Sequence, residues 1–214
     1  MAVNLIVGKP GAGKTYFLTK IALAAVLAGR DVYTNYPIDV TQNVSVLRAL
    51  RKNKDLGSVY YWRTYKDFIN IKSGVVLCDE AYTLFGSKDW QSLPMEVLSK
   101  FFQHRKDGVD IWACSQRQKS INANLRDIAT SVYRVKKLRL PFVKFLFYVA
   151  CLDADDVMAD RAKPSCYGRS FFFFNKQVAF VYDTFDRTIV KDNVDEYYSF
   201  TCLFSGQLGK DVLL

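Results

Sequence analysis

The stretch from Val7 to Thr15, "VGKPGAGKT", follows the apolar run "MAVNLI" and leads into "YFLTKIALAAVLAG". Few short segments constrain a fold so tightly. Gly8, Gly13, Lys14 and Thr15 stand at the spacing G-x-x-x-x-G-K-T. Glycines let the backbone curl until its N–H groups face one point, and a helix beginning there favours an anion. Lys9, Pro10, Gly11 and Ala12 complete the loop. Lys14 would neutralise the β- and γ-phosphates of ATP, and the Thr15 hydroxyl would hold Mg2+. The flanks agree: a buried strand comes before, and a helix with apolar residues at helical spacing follows and stops at Gly29. "RDVYTNY" reads as the next strand, which completes the βαβ unit of a parallel sheet.

A second acidic landmark lies downstream. In "VVLCDEA", Asp79 and Glu80 end a near-continuous apolar run, the pattern of a strand covered on both faces. Asp79 there would hold Mg2+, and Glu80 would orient or deprotonate an attacking water. A kinase must exclude water, so an acid of this kind leans toward hydrolysis. "DIWACSQR" places Ser115 and Gln116 at the end of another buried strand, where parallel sheets bind ligands. The Gln116 amide can donate and accept, which suits a γ-phosphate sensor. Motor ATPases often complete a site with an arginine from a neighbouring subunit. Arg105 is the first choice for that role, with Arg126 and Arg117 as alternatives.

Helices are expected over "NVSVLRALRKNK", "TYKDFINI" and "PMEVLSKFFQHRKDG", and a short strand over "SVYYW". Alternating strands and helices to about residue 130 argue for an α/β core with a mainly parallel sheet. From about 136 to 214 the texture turns aromatic and β-branched, which reads as a β-rich, antiparallel extension within one domain spanning 1–214. "FNKQVAF" is shaped like a hairpin within it, and "DADDVMADRAKPSCYG" reads as a mobile polar connection.

The five cysteines form no CxxC pair, and His104 is the only histidine, which excludes a multi-histidine metal centre. Cys78 and Cys114 fall inside apolar runs and read as buried thiols. The best membrane candidate, Leu140 to Leu152, contains Lys144 and is shorter than the about 20 residues of a spanning helix. A net charge of +9 favours polyanionic partners. "YRVKKLRLPFVK" carries Arg134, Lys136, Lys137, Arg139 and Lys144 without an acid, and "RALRKNK" carries Arg48, Arg51, Lys52 and Lys54. Such groups contact phosphates without reading bases. Tyr133 and Phe142 are candidates for stacking on single-stranded bases. Phe171 to Phe174 are better explained by packing or a subunit contact.

In order, "GKPGAGKT", "VYTNYP", "VVLCDEA", "HRKDGVDIWACSQR" and "NANLRDIA" resemble the Zot-like (zonular occludens toxin-like) ATPases of phages, in the FtsK–HerA class of DNA-pumping motors. The resemblance covers roughly residues 1 to 135, and "FVYDTFDRTI" adds a weaker likeness to a late segment of viral packaging ATPases. The resemblance implies a RecA-like P-loop NTPase core over about residues 1–135, ATP hydrolysis, a homo-oligomeric ring (hexamer or pentamer) and movement of viral DNA without sequence preference. By position it assigns working roles to Lys14, Thr15, Asp79, Glu80 and Gln116. Filamentous-phage members of the group continue into a membrane span and an outer domain. Neither is visible here, which favours a packaging motor in the host cytoplasm, with capsid or membrane proteins of the virion as further partners. A filamentous-phage extrusion ATPase is the alternative. A small-molecule kinase, or a nucleotide-gated structural protein without turnover, are the readings from other classes.

Overall fold

The computed structural model describes residues 1–52, 54–86, 93–140, 143–182 and 201–205. Its centre is a set of parallel strands: β1 (Val3–Val7), β2 (Val32–Thr34), β3 (Val59–Tyr61), β4 (Gly74–Cys78), β5 (Val109–Ser115) and β6 (Ser131–Leu140). Three antiparallel strands extend the edges: β7 (Val143–Asp153), β8 (Cys166–Phe173) and β9 (Thr201–Phe204). Among the described residues these form one sheet in the order β8-β7-β6-β1-β5-β4-β2-β3-β9. β1 and β4 are buried at every position, the pattern expected of parallel strands covered on both faces.

Helices cover the sheet in two layers. α1 (Lys14–Leu27), α2 (Val44–Arg51) and the short α7 (Lys176–Ala179) pack on one face. α3 (Tyr65–Asn70), α4 (Met95–Gln103), α5 (Ala123–Asp127) and α6 (Ala154–Met158) pack on the other. The stop at Gly29 is met in detail. Its φ of 74° is left-handed, its N–H donates to the Val26 carbonyl at 3.0 Å, and the Arg30 N–H donates to the Ala25 carbonyl at 2.9 Å. This paired closure satisfies carbonyls that the helix end would otherwise leave free.

Three differences from the sequence expectation concern the second half. β6 is parallel to β1, pairing Val7 with Arg134, and antiparallel to β7. The seam placed near 135 therefore lies inside a strand, and the later strands continue the core sheet. "FNKQVAF" is not a hairpin. The Asn175 side chain accepts from the Gln177 N–H at 2.8 Å and starts α7, so a local cap overrides the alternating pattern. The polar segment after β7 is tied down as well. Asp153 caps α6 by accepting from the Asp156 N–H, and the Asp156 carboxylate accepts from both the N–H and hydroxyl of Ser165. From Asp183 onward, "FVYDTFDRTI" lies outside the described residues.

Candidate nucleotide site

The register explains why distant residues meet. β5 lies between β1 and β4, pairing Ser115 with Val7 and Ala113 with Cys78. The phosphate loop leaves β1 just beyond that pair, and Asp79 leaves β4 at the same edge. Both therefore emerge at the carboxyl end of the parallel sheet, where ligands bind in such folds.

The loop needs its glycines for space as well as for conformation. Gly13 caps α1 with φ 90°, and a Cβ there would stand 2.6 Å from the Phe147 ring. A Cβ at Gly8 would stand 2.5 Å from the Val135 carbonyl oxygen. β6 and β7 thus press directly on the loop. Lys14 is 6% exposed. Its charge opposes the upward shifts of both acids opposite it.

Thr15 donates from its hydroxyl to Asp79 Oδ2 at 2.7 Å. The other oxygen of Asp79 accepts from the Glu80 N–H at 3.0 Å. Asn35, 2% exposed just beyond β2, holds the backbone of this acid from both sides. It donates to the Asp79 carbonyl at 2.9 Å and accepts from the Asp79 N–H at 2.7 Å. Burial pushes the Asp79 carboxyl above its ordinary range, against the Thr15 and Glu80 hydrogen bonds and the Lys14 charge. Burial also raises Glu80, the neighbouring Asp79 charge raises it further, and Lys14 and the Tyr82 hydrogen bond oppose this. Glu80 has φ 48° and ψ 45°, a left-handed conformation that costs energy outside glycine. Its Oε2 is buried without a protein hydrogen-bond partner among the described residues. A strained residue presenting an unsatisfied carboxylate oxygen beside a lysine and a second acid is a group placed to act on something not part of the chain.

These residues fit a magnesium triphosphate. The loop leaves space where side chains would clash, and the Thr15 and Asp79 oxygens face each other. Gln116 follows β5 at the same edge and is exposed. Arg117 is next in the chain and also exposed, while the Arg126 Nε on α5 is buried without a partner among the described residues. Arg105 stands elsewhere. It is an exposed residue between α4 and the start of β5, at the amino edge of the sheet. A seven-residue strand separates that edge from Gln116, about 23 Å at 3.3 Å per residue. Arg105 cannot reach the triphosphate site of its own chain.

Asn35 and Phe147 are site-shaping residues that sequence reasoning missed. The signal for Asn35 was a polar residue closing a short buried strand, "VYTN", inside a landmark otherwise read only as a strand. Nothing local marks Phe147, because its relation to Gly13 depends on β7 pairing with β6. Cys78 and Cys114 are buried, with thiols raised well above their ordinary range chiefly by desolvation, in keeping with an inert packing role.

The fold and this edge define the mainly parallel α/β architecture of a P-loop NTPase. The family model of zonular occludens toxin (Zot) matches residues 2–160, and the chain belongs to that family. An uncharacterised protein, ORF2, of Spiroplasma virus SpV1-C74 is 28% identical over 66% of this chain and 40% of its own length. The Gene 1 protein of Escherichia phage If1 is 25% identical over 70% of this chain and 46% of its own length. The chain thus spans less than half of these relatives. In structure, it is similar to the N-terminal domain of zonular occludens toxin from Neisseria meningitidis. That match has a TM-score of 0.52 and 20% identity, covering 85% of this chain and 98% of that one.

Proposed function

We propose that this chain is the ATPase domain of a viral DNA motor, hydrolysing ATP to translocate viral DNA into a capsid. The observation that carries the reading is the convergence, at one sheet edge, of Lys14, the Thr15–Asp79 pair and Glu80, whose Oε2 is buried without a partner among the described residues. Backbone N–H groups of the Gly8–Gly13 loop and the Lys14 ammonium bind the phosphates. Thr15 and Asp79 would hold Mg2+, which would offset phosphate charge and lower the cost of ionising both acids. Asn35 fixes the direction of Asp79. Glu80, whose carboxyl is raised by burial and by Asp79, takes a proton from the attacking water as the water oxygen bonds to the γ-phosphorus and the bond from that phosphorus to the bridging oxygen breaks, ADP leaving with that oxygen. Gln116 orients that water or the γ-phosphate. The arginine belongs to a neighbouring copy in a ring, and Arg105 lies where it serves only a neighbour.

Extrusion of a phage genome through an assembly site is the second reading, favoured by membership of the Zot family and by the phage Gene 1 relatives. Both readings share the chemistry and the DNA. The test is ATP turnover with and without DNA, alongside the mass of the ATP-bound assembly. DNA-stimulated turnover by a ring is expected, and a monomer indifferent to DNA contradicts both. Nuclease protection of DNA by added empty capsids separates packaging from extrusion.

A further inference from the structure

The basic strand that suggested DNA contact has two unlike faces. Val132 on β6, with Ala150 and Leu152 on β7, belongs to the core beneath α5 and α6. Val135, Phe147 and Val149 belong to the opposite core, beneath α1. Side chains alternate along a strand, so Tyr133 and Lys137 share the α1 side. There Tyr133 packs against Trp112 and Phe17, at ring separations of 4.9 and 5.9 Å. Lys137 lies 4.5 Å from the centroid of the Phe145 ring. Tyr133 is therefore not the base-stacking group expected of it. Phe142 and the side chains of Arg139 and Lys144 lie outside the described residues.

The other face is different. The register aligns Arg134, Ala150 and Arg169 across β6, β7 and β8, and next to them Lys136, Tyr148 and Phe171. Phe173 stands one step further along β8, beside Leu146. Arg134, Lys136 and Arg169 are exposed and join no ion pair among the described residues. Phe171 is 61% and Phe173 66% exposed, and the Phe171 ring lies 5.2 Å from that of Tyr148. No acid alternates with these groups on this face.

From this juxtaposition we infer that the open face of β6–β8 binds single-stranded polynucleotide, with Phe171 and Phe173 stacking on bases and Arg134, Lys136 and Arg169 contacting the phosphates. The inference rests on the reading of the chain as a DNA motor and specifies the track. Cations interleaved with aromatic rings match a strand whose bases are free, because rings on a flat sheet cannot reach the stacked faces of a duplex. Phe171 and Phe173 are about 7 Å apart along the strand, a separation that successive unstacked bases can span. A second copy seated face to face here would set Arg134, Lys136 and Arg169 against the same cations, with no acid on this face to pair them. The reverse side of these strands touches the phosphate loop, through Phe147 beside Gly13 and Val135 beside Gly8. The two sides of this one sheet segment thus lie against the phosphate loop and the proposed track.

The test is fluorescence anisotropy of labelled oligodeoxythymidylate and of a labelled duplex, with wild type and with the Phe171→Ala/Phe173→Ala double variant. Both rings are exposed, so the fold persists. The expected result is tighter binding of the single strand by wild type, and its weakening about tenfold or more in the variant. Duplex affinity and DNA-free ATP turnover stay unchanged. In Arg134→Gln/Lys136→Gln, binding falls and its salt dependence flattens. If wild type binds DNA and the Phe variant binds it equally, the stacking face is overturned while the motor reading stands. Loss of assembly mass in the Phe variant, with binding per protomer unchanged, identifies a copy interface and also overturns it. If wild type binds neither probe, the DNA reading itself fails.

Discussion

Thr15 and Asp79 are 64 positions apart in sequence and share a hydrogen bond of 2.7 Å. That bond joins the start of α1 to the end of β4, the two elements a P-loop site must bring together. Its cost shows in Asp79, whose carboxyl is raised by burial. An acid with a raised folded-state pKa contributes stability in full below the ordinary carboxylate range, and loses it as pH rises through the folded value. Asp79→Asn keeps the shape and removes the charge. Nucleotide-free Asp79→Asn should therefore melt at or above the wild-type temperature at neutral pH, with the gap narrowing toward about pH 4. Stabilisation by magnesium ATP should vanish. A variant that melts well below wild type across this range contradicts the assignment; thermal melts with and without ligand decide it.

Lys14 is almost fully buried beside both acids. Lys14→Ala should abolish turnover and weaken ATP binding by about 100-fold or more, an effect of about 3 kcal/mol in line with loss of a charge-assisted contact. Equilibrium binding of a fluorescent ATP analogue measures it.

Asn35 touches no ligand in this account of the site, yet it holds the Asp79 backbone by two bonds. Asn35→Ala should lower stability by about 1–3 kcal/mol, because a buried carbonyl and N–H lose their partner. Turnover should fall more than ATP affinity, since the acids drift while the phosphate loop is intact. Denaturant melts and a kcat-against-KM comparison read the two effects separately.

Gly13→Ala introduces a Cβ 2.6 Å from Phe147 at a φ of 90°. ATP affinity should drop sharply. Adding Phe147→Ala removes the clash but not the left-handed conformation, so the double variant should recover part of the loss. The coupling in a double-mutant cycle reports whether β7 shapes the loop.

The phosphate loop, its strand and helix, and Asp79 with Glu80 were legible because each is written in contiguous residues whose pattern is local. Asn35 was not, because its partner lies 44 positions away and nothing near it predicts that approach. Arg105 reads as an arginine for a neighbouring copy; that it stands a whole strand from Gln116 of its own chain depends on the direction in which β5 crosses the sheet, which the local residues do not state. α7 was hidden because aromatic and β-branched residues favour strands, whereas Asn175 imposes a cap and its N–H is held by the Tyr16 hydroxyl at 2.8 Å. The union of β6 with β1 depends on parallel pairing over more than a hundred residues, which periodicity cannot encode.

The most direct test of hydrolysis is phosphate release by wild type and Glu80→Gln, measured together with ATP binding. Wild type is expected to release phosphate in the presence of Mg2+. Glu80→Gln should bind ATP as tightly and turn over about 100-fold more slowly or worse, the usual scale for removing a general base. Equal turnover in the two proteins would contradict the role given to Glu80, whose backbone is left-handed and whose Oε2 is buried without a partner among the described residues.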